Sequence, residues 1–232
     1  MMISTLFSLL PQDLYRRYLL KRVAAGALFR YLQIPLASRK KTVFDTEFVA
    51  LDFETSGLDA KNDRLLSIGY VVIRHGRIIL KEKNYYLVKP DIIMQADNVA
   101  IHGITDDAVQ SGSGFAAAME DLLSVIAGRV MIVHHASVEK NFINRACQKL
   151  YGYALPMRVI DTMKLAEKAM KQKQQPIATN SLRLFNLRAQ FGLPRYRAHN
   201  ALEDAIATAE LFLAMASRKA SDLHSCTLKD FL

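Results

Sequence analysis

The chain has 232 residues, 51% of them hydrophobic and 23% charged, with a formal net charge of +9. That composition supports a buried core and excludes a disordered or low-complexity protein. Two cysteines, Cys147 and Cys226, are too few for a disulfide framework and lack metal-ligand spacing. The positive charge is unevenly placed. Residues 1–41 hold eight basic residues (Arg16, Arg17, Lys21, Arg22, Arg30, Arg39, Lys40 and Lys41) against one acid, Asp13, a net +7. Such asymmetry suggests contact with nucleic acid or an anionic surface. A solvated charged helix docked on its own domain accounts for it equally well.

Residues 1–9 have neither a positively charged n-region nor a small-residue cleavage site, which argues against export. No apolar run approaches the length of a membrane span. The expected setting is the reducing cytoplasm, without integral membrane association. From Gln12 to Gln33, an apolar stripe of Leu14, Tyr18, Leu19, Val23, Leu28, Tyr31 and Leu32 predicts one basic amphipathic helix, ended by Pro35. Val49 to Phe53 reads as a buried strand. Leu65–Arg74 and Arg77–Val88 read as a hairpin about His75-Gly76.

Asp97 to His102 begins a helical or turn region that contains His102-Gly103-Ile104-Thr105. Phe115–Ile126 has helical spacing, and Val130–Val133 is a short apolar strand leading into His134-His135-Ala136-Ser137-Val138-Glu139. Ser137 is the expected N-cap of the helix that follows. Val159-Ile160-Asp161 is a fifth strand, with Thr162 opening a helix. Lys171–Thr179 reads as an exposed loop, Ser181 as the cap of the next helix. Tyr196 to Asp204 leads into a last long helix reaching about Ser217. The expected fold is α/β, a mixed five-stranded sheet flanked by helices. The expected organisation is a basic helical extension (1–41), a body (42–218) and a C-terminal tail (219–232). The apolar end of that tail could occupy a partner's groove.

Four acids stand out. Asp52 and Glu54 are two apart, so on a strand both carboxylates leave from one face. Two acids side by side in an apolar strand repel and are costly to desolvate, and divalent cations relieve both problems. Glu139 lies early in a helix that follows a strand, and Asp204 sits inside the last helix, five residues after His199. Carboxylates from a strand and two helix starts can converge at one edge of a sheet, and such hard oxygen ligands suit Mg²⁺ or Mn²⁺.

These motifs, Asp52-Phe53-Glu54-Thr55-Ser56-Gly57, His102-Gly103-Ile104-Thr105, His134 to Phe142, Asp161-Thr162 and His199 to Asp204, resemble those of the DEDDh 3′–5′ exonucleases. That family includes the proofreading epsilon subunit of bacterial DNA polymerase III. The resemblance spans roughly residues 46–216 and implies a ribonuclease-H-like fold. It implies two divalent ions held by Asp52, Glu54, Glu139 and Asp204, with Asp52 bridging and His199 as general base. It further implies release of nucleoside monophosphates from single-stranded or frayed 3′ ends, DNA favoured over RNA, with a polymerase or repair protein as partner. Thr55, His102, Ile104, His135 and Arg197 are the expected substrate contacts, with Arg195 beside them. His134 is expected to support the strand end, and Asp161 to hold a strand-to-helix step. Asp59, Asp63, Asp106 and Asp107 are expected turn and cap acids.

Two positions depart from the family. Glu139 stands where aspartate is usual, so its longer side chain needs another rotamer or a bridging water. His135 stands where asparagine is common. A competing reading follows from Glu139: a catalytically weakened nucleic-acid-binding or polymerase-associated module.

Overall fold

A computed structural model of the chain describes residues 11–89, 110–196, 200–220 and 222–232. In chain order it contains α1 (Gln12–Leu20), α2 (Ala27–Gln33), β1 (Phe48–Thr55), β2 (Leu65–Arg74), β3 (Arg77–Lys89), β4 (Ser113–Gly114) and α3 (Phe115–Ile126). There follow β5 (Val130–Val133), α4 (Ser137–Tyr151), β6 (Val159–Asp161), α5 (Thr162–Gln172), α6 (Leu184–Gln190), α7 (Ala201–Lys219) and a 3₁₀ turn at Leu228–Asp230.

One mixed sheet, ordered β4-β3-β2-β1-β5-β6, carries the architecture. β1, β2 and β3 form an antiparallel meander, whereas β5 and β6 run parallel to β1. All five expected strands are present, and the sixth, β4, is a two-residue edge strand beside Val88 and Lys89. At the β2–β3 turn, His75 and Gly76 have φ of 50° and 68°, the left-handed pair that a tight hairpin requires.

β1 is covered on both faces. Val49, Leu51 and Phe53 join one core with α1 to α4; Phe48 and Ala50 join the other with α7 and the C-terminal segment. Strand alternation therefore assigns Asp52 and Glu54 to the α7 face. β5 pairs with β1 only through Phe48, Val49 and Ala50, so β1 runs on past the end of its parallel neighbour. The carboxyl ends of β1, β5 and β6 open at one edge of the sheet, the place where open parallel sheets bind ligands.

Several local expectations are corrected. The single helix expected over Gln12–Gln33 is two helices, α1 and α2, because Gly26 is a poor helix former and the chain turns before it. Ser137 does not cap α4. Ala136 holds that position with no side-chain cap, and the Ser137 hydroxyl lies 2.9 Å from His135 Nε2. Ser181 does not cap α6, whose capping position is Arg183.

The basic N-terminal segment is also packed on the body. Tyr15, Leu19, Leu28, Tyr31 and Leu32 are buried in the α1–α4 core, Tyr31 Oη donates to Pro156 O at 2.7 Å, and Gln12 Oε1 accepts from Met157 N at 3.0 Å. At the other end, Leu228 and Phe231 are buried against Phe212, and Thr42 bridges to Thr227. Leu228 and Phe231 are thus committed to this chain's own core, while Leu232 is exposed. Among the described residues, no helix is long and apolar enough to cross a membrane.

Candidate metal centre

Three chain segments bring acids to the open sheet edge. Asp52 and Glu54 leave β1 on one face, as their spacing predicts. Asp204 arrives from the first turn of α7, and the three carboxylates offer ligand atoms within 4.8 Å of one another. Glu54 is buried, while Asp52 and Asp204 are half-buried. Glu139 comes from the first turn of α4, on the opposite face of the sheet, and reaches the group around the sheet edge. It is 2% exposed and electrostatically close to Asp52, yet it is not one of the three that converge.

The electrostatics are those of crowded anions. Burial, then Glu139, Asp204 and Glu54 in turn, raise Asp52 well above the ordinary carboxylate range. Burial and the Asp204 charge push Glu54 up to about 7. Burial pushes Glu139 up to about 8, with Asp161 adding to the effect and its own backbone N–H opposing it. Glu139 Oε2 is buried with no hydrogen-bond partner among the described residues. A buried oxygen of that kind needs a proton or a cation. Three oxygen-donor side chains that disfavour their own ionisation, with Asp204 beside two of them, fit one or two hard divalent cations.

The scaffold beneath the acids is specific. Gly69 of β2 stands opposite Asp52 in the antiparallel register. A Cβ at Gly69 would lie 2.2 Å from both Ala201 C and Leu202 N. Only a glycine lets the first turn of α7 rest directly on the sheet, which brings Asp204 to the acids of β1. Asn200 fixes the start of that helix, its side chain accepting from Leu202 N (3.1 Å) and Glu203 N (3.2 Å). Both features escaped the sequence reading. An isolated glycine in the run Leu65–Arg74 is the signal for close backbone approach, and an Asn before Ala-Leu-Glu is an N-cap signal.

Asp161 has the structural role expected of it. Its Oδ1 accepts from His135 N (3.2 Å), Met163 N (3.0 Å) and Lys164 N (3.2 Å), and its Oδ2 from Ala136 N (3.0 Å). It therefore caps α5 and ties down the turn between β5 and α4. His135 takes φ of 74° in that turn. Histidine and asparagine are both enriched in this left-handed region, so the departure at position 135 preserves the backbone requirement. The His135 side chain is exposed at the rim.

His134 supports the strand end. Its Nε2 lies 2.9 Å from Leu182 O and its Nδ1 2.8 Å from Thr162 Oγ1. A carbonyl can only accept, so Nε2 carries the proton; burial holds the ring's pKa below its usual value.

Thr55 ends β1, and its hydroxyl donates to Gly57 O at 2.7 Å. The turn beyond is braced by Asp63, which accepts from Ser56 Oγ (3.2 Å) and Asp59 N (2.8 Å), while Asp59 accepts from Lys61 N (3.0 Å). These two acids have the turn role expected of them. His102, Ile104, Asp106, Asp107, Arg197 and His199 lie outside the described residues. Arg195, also at the approach to α7, is exposed.

The path into α7 is anchored from below. Arg188, 1% exposed, donates to Ala207 O (2.6 Å), Pro194 O (2.8 Å) and Glu210 Oε2 (2.7 Å). Tyr196 Oη donates to Glu210 Oε1 at 2.9 Å. One buried guanidinium thus ties α6, α7 and the segment entering α7.

Comparison with known proteins agrees with this geometry. The profile of the exonuclease family RNase_T matches residues 49–212. The chain is 32% identical over 179 residues to the DNA polymerase III subunit epsilon of Treponema pallidum, covering 77% of this chain and 80% of that protein. It is 30% identical over 176 residues to the PolC-type DNA polymerase III of Thermotoga maritima, covering 76% of this chain and only 12% of that protein. Escherichia coli exonuclease I in complex with a dT13 oligonucleotide shares the fold, with a TM-score of 0.64 at 19% identity; the match covers 75% of this chain and 42% of the exonuclease I chain. With the family profile spanning most of its length and the acid-bearing elements inside that span, the chain belongs to the RNase_T exonuclease family.

Proposed function

We propose that this protein is a metal-dependent 3′–5′ exonuclease. It hydrolyses the terminal phosphodiester of single-stranded or frayed DNA and releases nucleoside monophosphates. The observation that carries the reading is the convergence of Asp52, Glu54 and Asp204 within 4.8 Å at the sheet edge. Those three, with Glu139 behind Asp52, would hold two divalent ions, Mg²⁺ or Mn²⁺. When bound, such ions supply an activated water and charge stabilisation for the leaving 3′-oxygen.

The protein's own groups do the rest. His199, anchored in sequence next to the Asn200 cap, accepts the proton of the attacking water; an imidazole suits that task near neutral pH. Thr55 and the backbone that follows it, with His135 at the opposite rim, meet the terminal nucleotide. His102 and Ile104 pack on its base or sugar, and Arg197 meets a phosphate. A DNA substrate follows from the relatives, which are named as DNA polymerase subunits and polymerases. The same names make a polymerase, or another replication or repair protein in the cytoplasm, the partner to test.

Glu139 favours a second reading, a polynucleotide-binding module with weakened chemistry, because it stands outside the converging trio. Mn²⁺ titration of wild type and Glu139→Asp, followed by hydrolysis assays, separates the two. Two ions and robust hydrolysis in the wild type support the exonuclease. One weakly held ion, with activity gained only by Glu139→Asp, supports the binding module.

A further inference from the structure

A second concentration of charge lies away from the acids. A cavity of about 410 Å³ opens between α1, α4 and the segment leading into β6, lined by Gln12, Arg39, Lys140, Asn144 and Arg158, with Tyr15 at its wall. No acidic side chain lines it.

The polar groups there are donors. Gln12 Oε1 accepts from Met157 N, and Asn144 Oδ1 accepts from Leu155 N at 3.0 Å. Each amide oxygen is used on the backbone, so each side chain retains its NH₂ group for another partner. Arg158 Nε is buried with no hydrogen-bond partner among the described residues. Burial and the neighbouring Arg39 charge both lower the pKa of Arg158, against a weaker opposing effect of Asp13. The acid that opposes this effect is itself engaged: Asp13 Oδ1 accepts from Arg16 Nε at 2.9 Å. Three cations and two amide donors stand around one cavity with no acidic side chain among them and the Leu232 main-chain carboxylate in the same lining, an excess of positive charge that an anionic ligand would complete.

We propose that this cavity binds backbone phosphates of the nucleic-acid strand whose 3′ end lies at the acid cluster. The proposal rests on the exonuclease reading for the identity of the strand. Lys140 directly follows Glu139, with Lys140 and Asn144 one turn apart on the outer face of α4. About 7 Å of helix axis separates Glu139 from Asn144. A strand leaving the acids over the first turn of α4 therefore meets the cavity within its first few phosphates. The guanidinium forks of Arg39 and Arg158 match phosphate geometry, and the two amides supply further donors. Nucleic acid is favoured over a free phosphate because Lys140, in the lining of this cavity, directly follows Glu139 of the acid cluster.

The test is the affinity of 5′-fluorescein-labelled dT16, with chelator present so that no hydrolysis occurs, for wild type, Arg39→Gln, Arg158→Gln and the double variant. The single variants are expected to weaken binding about tenfold. The slope of log affinity against log salt should fall by roughly one for each phosphate contact removed. With Mg²⁺ present, KM for dT16 rises in the variants while kcat stays within about twofold. Thermal midpoints equal to or above wild type are expected, since each change relieves repulsion between unbalanced cations; Arg39→Gln, on an exposed segment, keeps the test open if Arg158→Gln folds poorly. Wild-type affinity and salt slope in both variants would overturn the proposal. So would a thermal shift by 10 mM inorganic phosphate that the variants lose while dT16 binding is unchanged, which would assign the cavity to a free phosphate. Because the binding measurement needs no catalysis, loss of the exonuclease reading would show separately, as absent hydrolysis with intact dT16 binding.

Discussion

Gly69 and Ala201 touch where no side chain fits: a Cβ on Gly69 would lie 2.2 Å from the Ala201 carbonyl carbon. That contact sets the height of α7 above the sheet, and with it the reach of Asp204 toward Asp52. Gly69→Ala is expected to push the first turn of α7 outward. It should destabilise the fold by about 1–3 kcal/mol and weaken Mn²⁺ binding more than the lost stability alone explains. Calorimetric titration with Mn²⁺ at a temperature where the variant is folded checks this; unchanged Mn²⁺ affinity would show that α7 is not positioned by this contact.

The acids repel one another, so neutralising one has opposite effects on fold and function. Asp204→Asn keeps the shape and removes a charge. Its metal-free thermal midpoint is expected to rise, by about 1 kcal/mol or more in stability, while hydrolysis falls to background. A lowered midpoint in chelator would contradict the picture of mutually repelling anions.

The pH dependence follows from the same groups. Glu54 and Glu139 titrate near 7 and near 8 in the folded protein, against an ordinary value of 4.5. The folded state therefore holds more protons than the unfolded state between these limits, and stability falls as pH rises from about 4.5 toward 8. Glu54 alone accounts for on the order of 3 kcal/mol of this loss in metal-free protein. Saturating Mg²⁺ or Mn²⁺ binds only the folded, ionised site, so it should raise the midpoint far more at pH 8 than at pH 5. Melting curves in chelator and in metal across this range provide the check, and a flat metal-free profile would refute it.

How much of this was legible in the sequence depends on the scale of the signal. The paired acids of β1 were readable because strand alternation is local and strict. So were the hairpin at His75-Gly76 and the helix Phe115–Ile126. The sequence left the fate of the basic N-terminal segment open between an arm and a helix docked on its own domain. Its charges suggested an arm and its apolar stripe a docked helix, and the choice depends on a surface built by α3 and α4, far along the chain, against which Tyr15, Leu19, Tyr31 and Leu32 are buried. Gly69 carried a signal only in combination with a helix 130 residues away. Ser137 carried a genuine N-cap signal, but the helix begins one residue earlier, with Ala136 at the cap and the Ser137 hydroxyl against His135 Nε2.

The packing of α1 and α2 changes what a truncation can report. Removal of residues 1–41 strips a wall from the core, so the expected product is an unfolded or aggregating chain instead of a clean binding mutant. A cooperative thermal transition near the wild-type midpoint in that truncation would restore the segment to a dispensable extension.

Arg188 offers a further check on how the approach to α7 is held. Arg188→Met deletes three hydrogen bonds and leaves Glu210, 26% exposed at its side chain, without its cation. A loss of about 3 kcal/mol is expected, read by chemical denaturation. A loss below about 1 kcal/mol would mean that the network contributes little.

The central claim is tested most directly by digesting 5′-labelled single-stranded DNA with Mn²⁺, with Mg²⁺ and with chelator. The account predicts a ladder that shortens stepwise from the 3′ end with either metal and stops with chelator. No shortening with either metal, or shortening that survives thorough chelation, would contradict it.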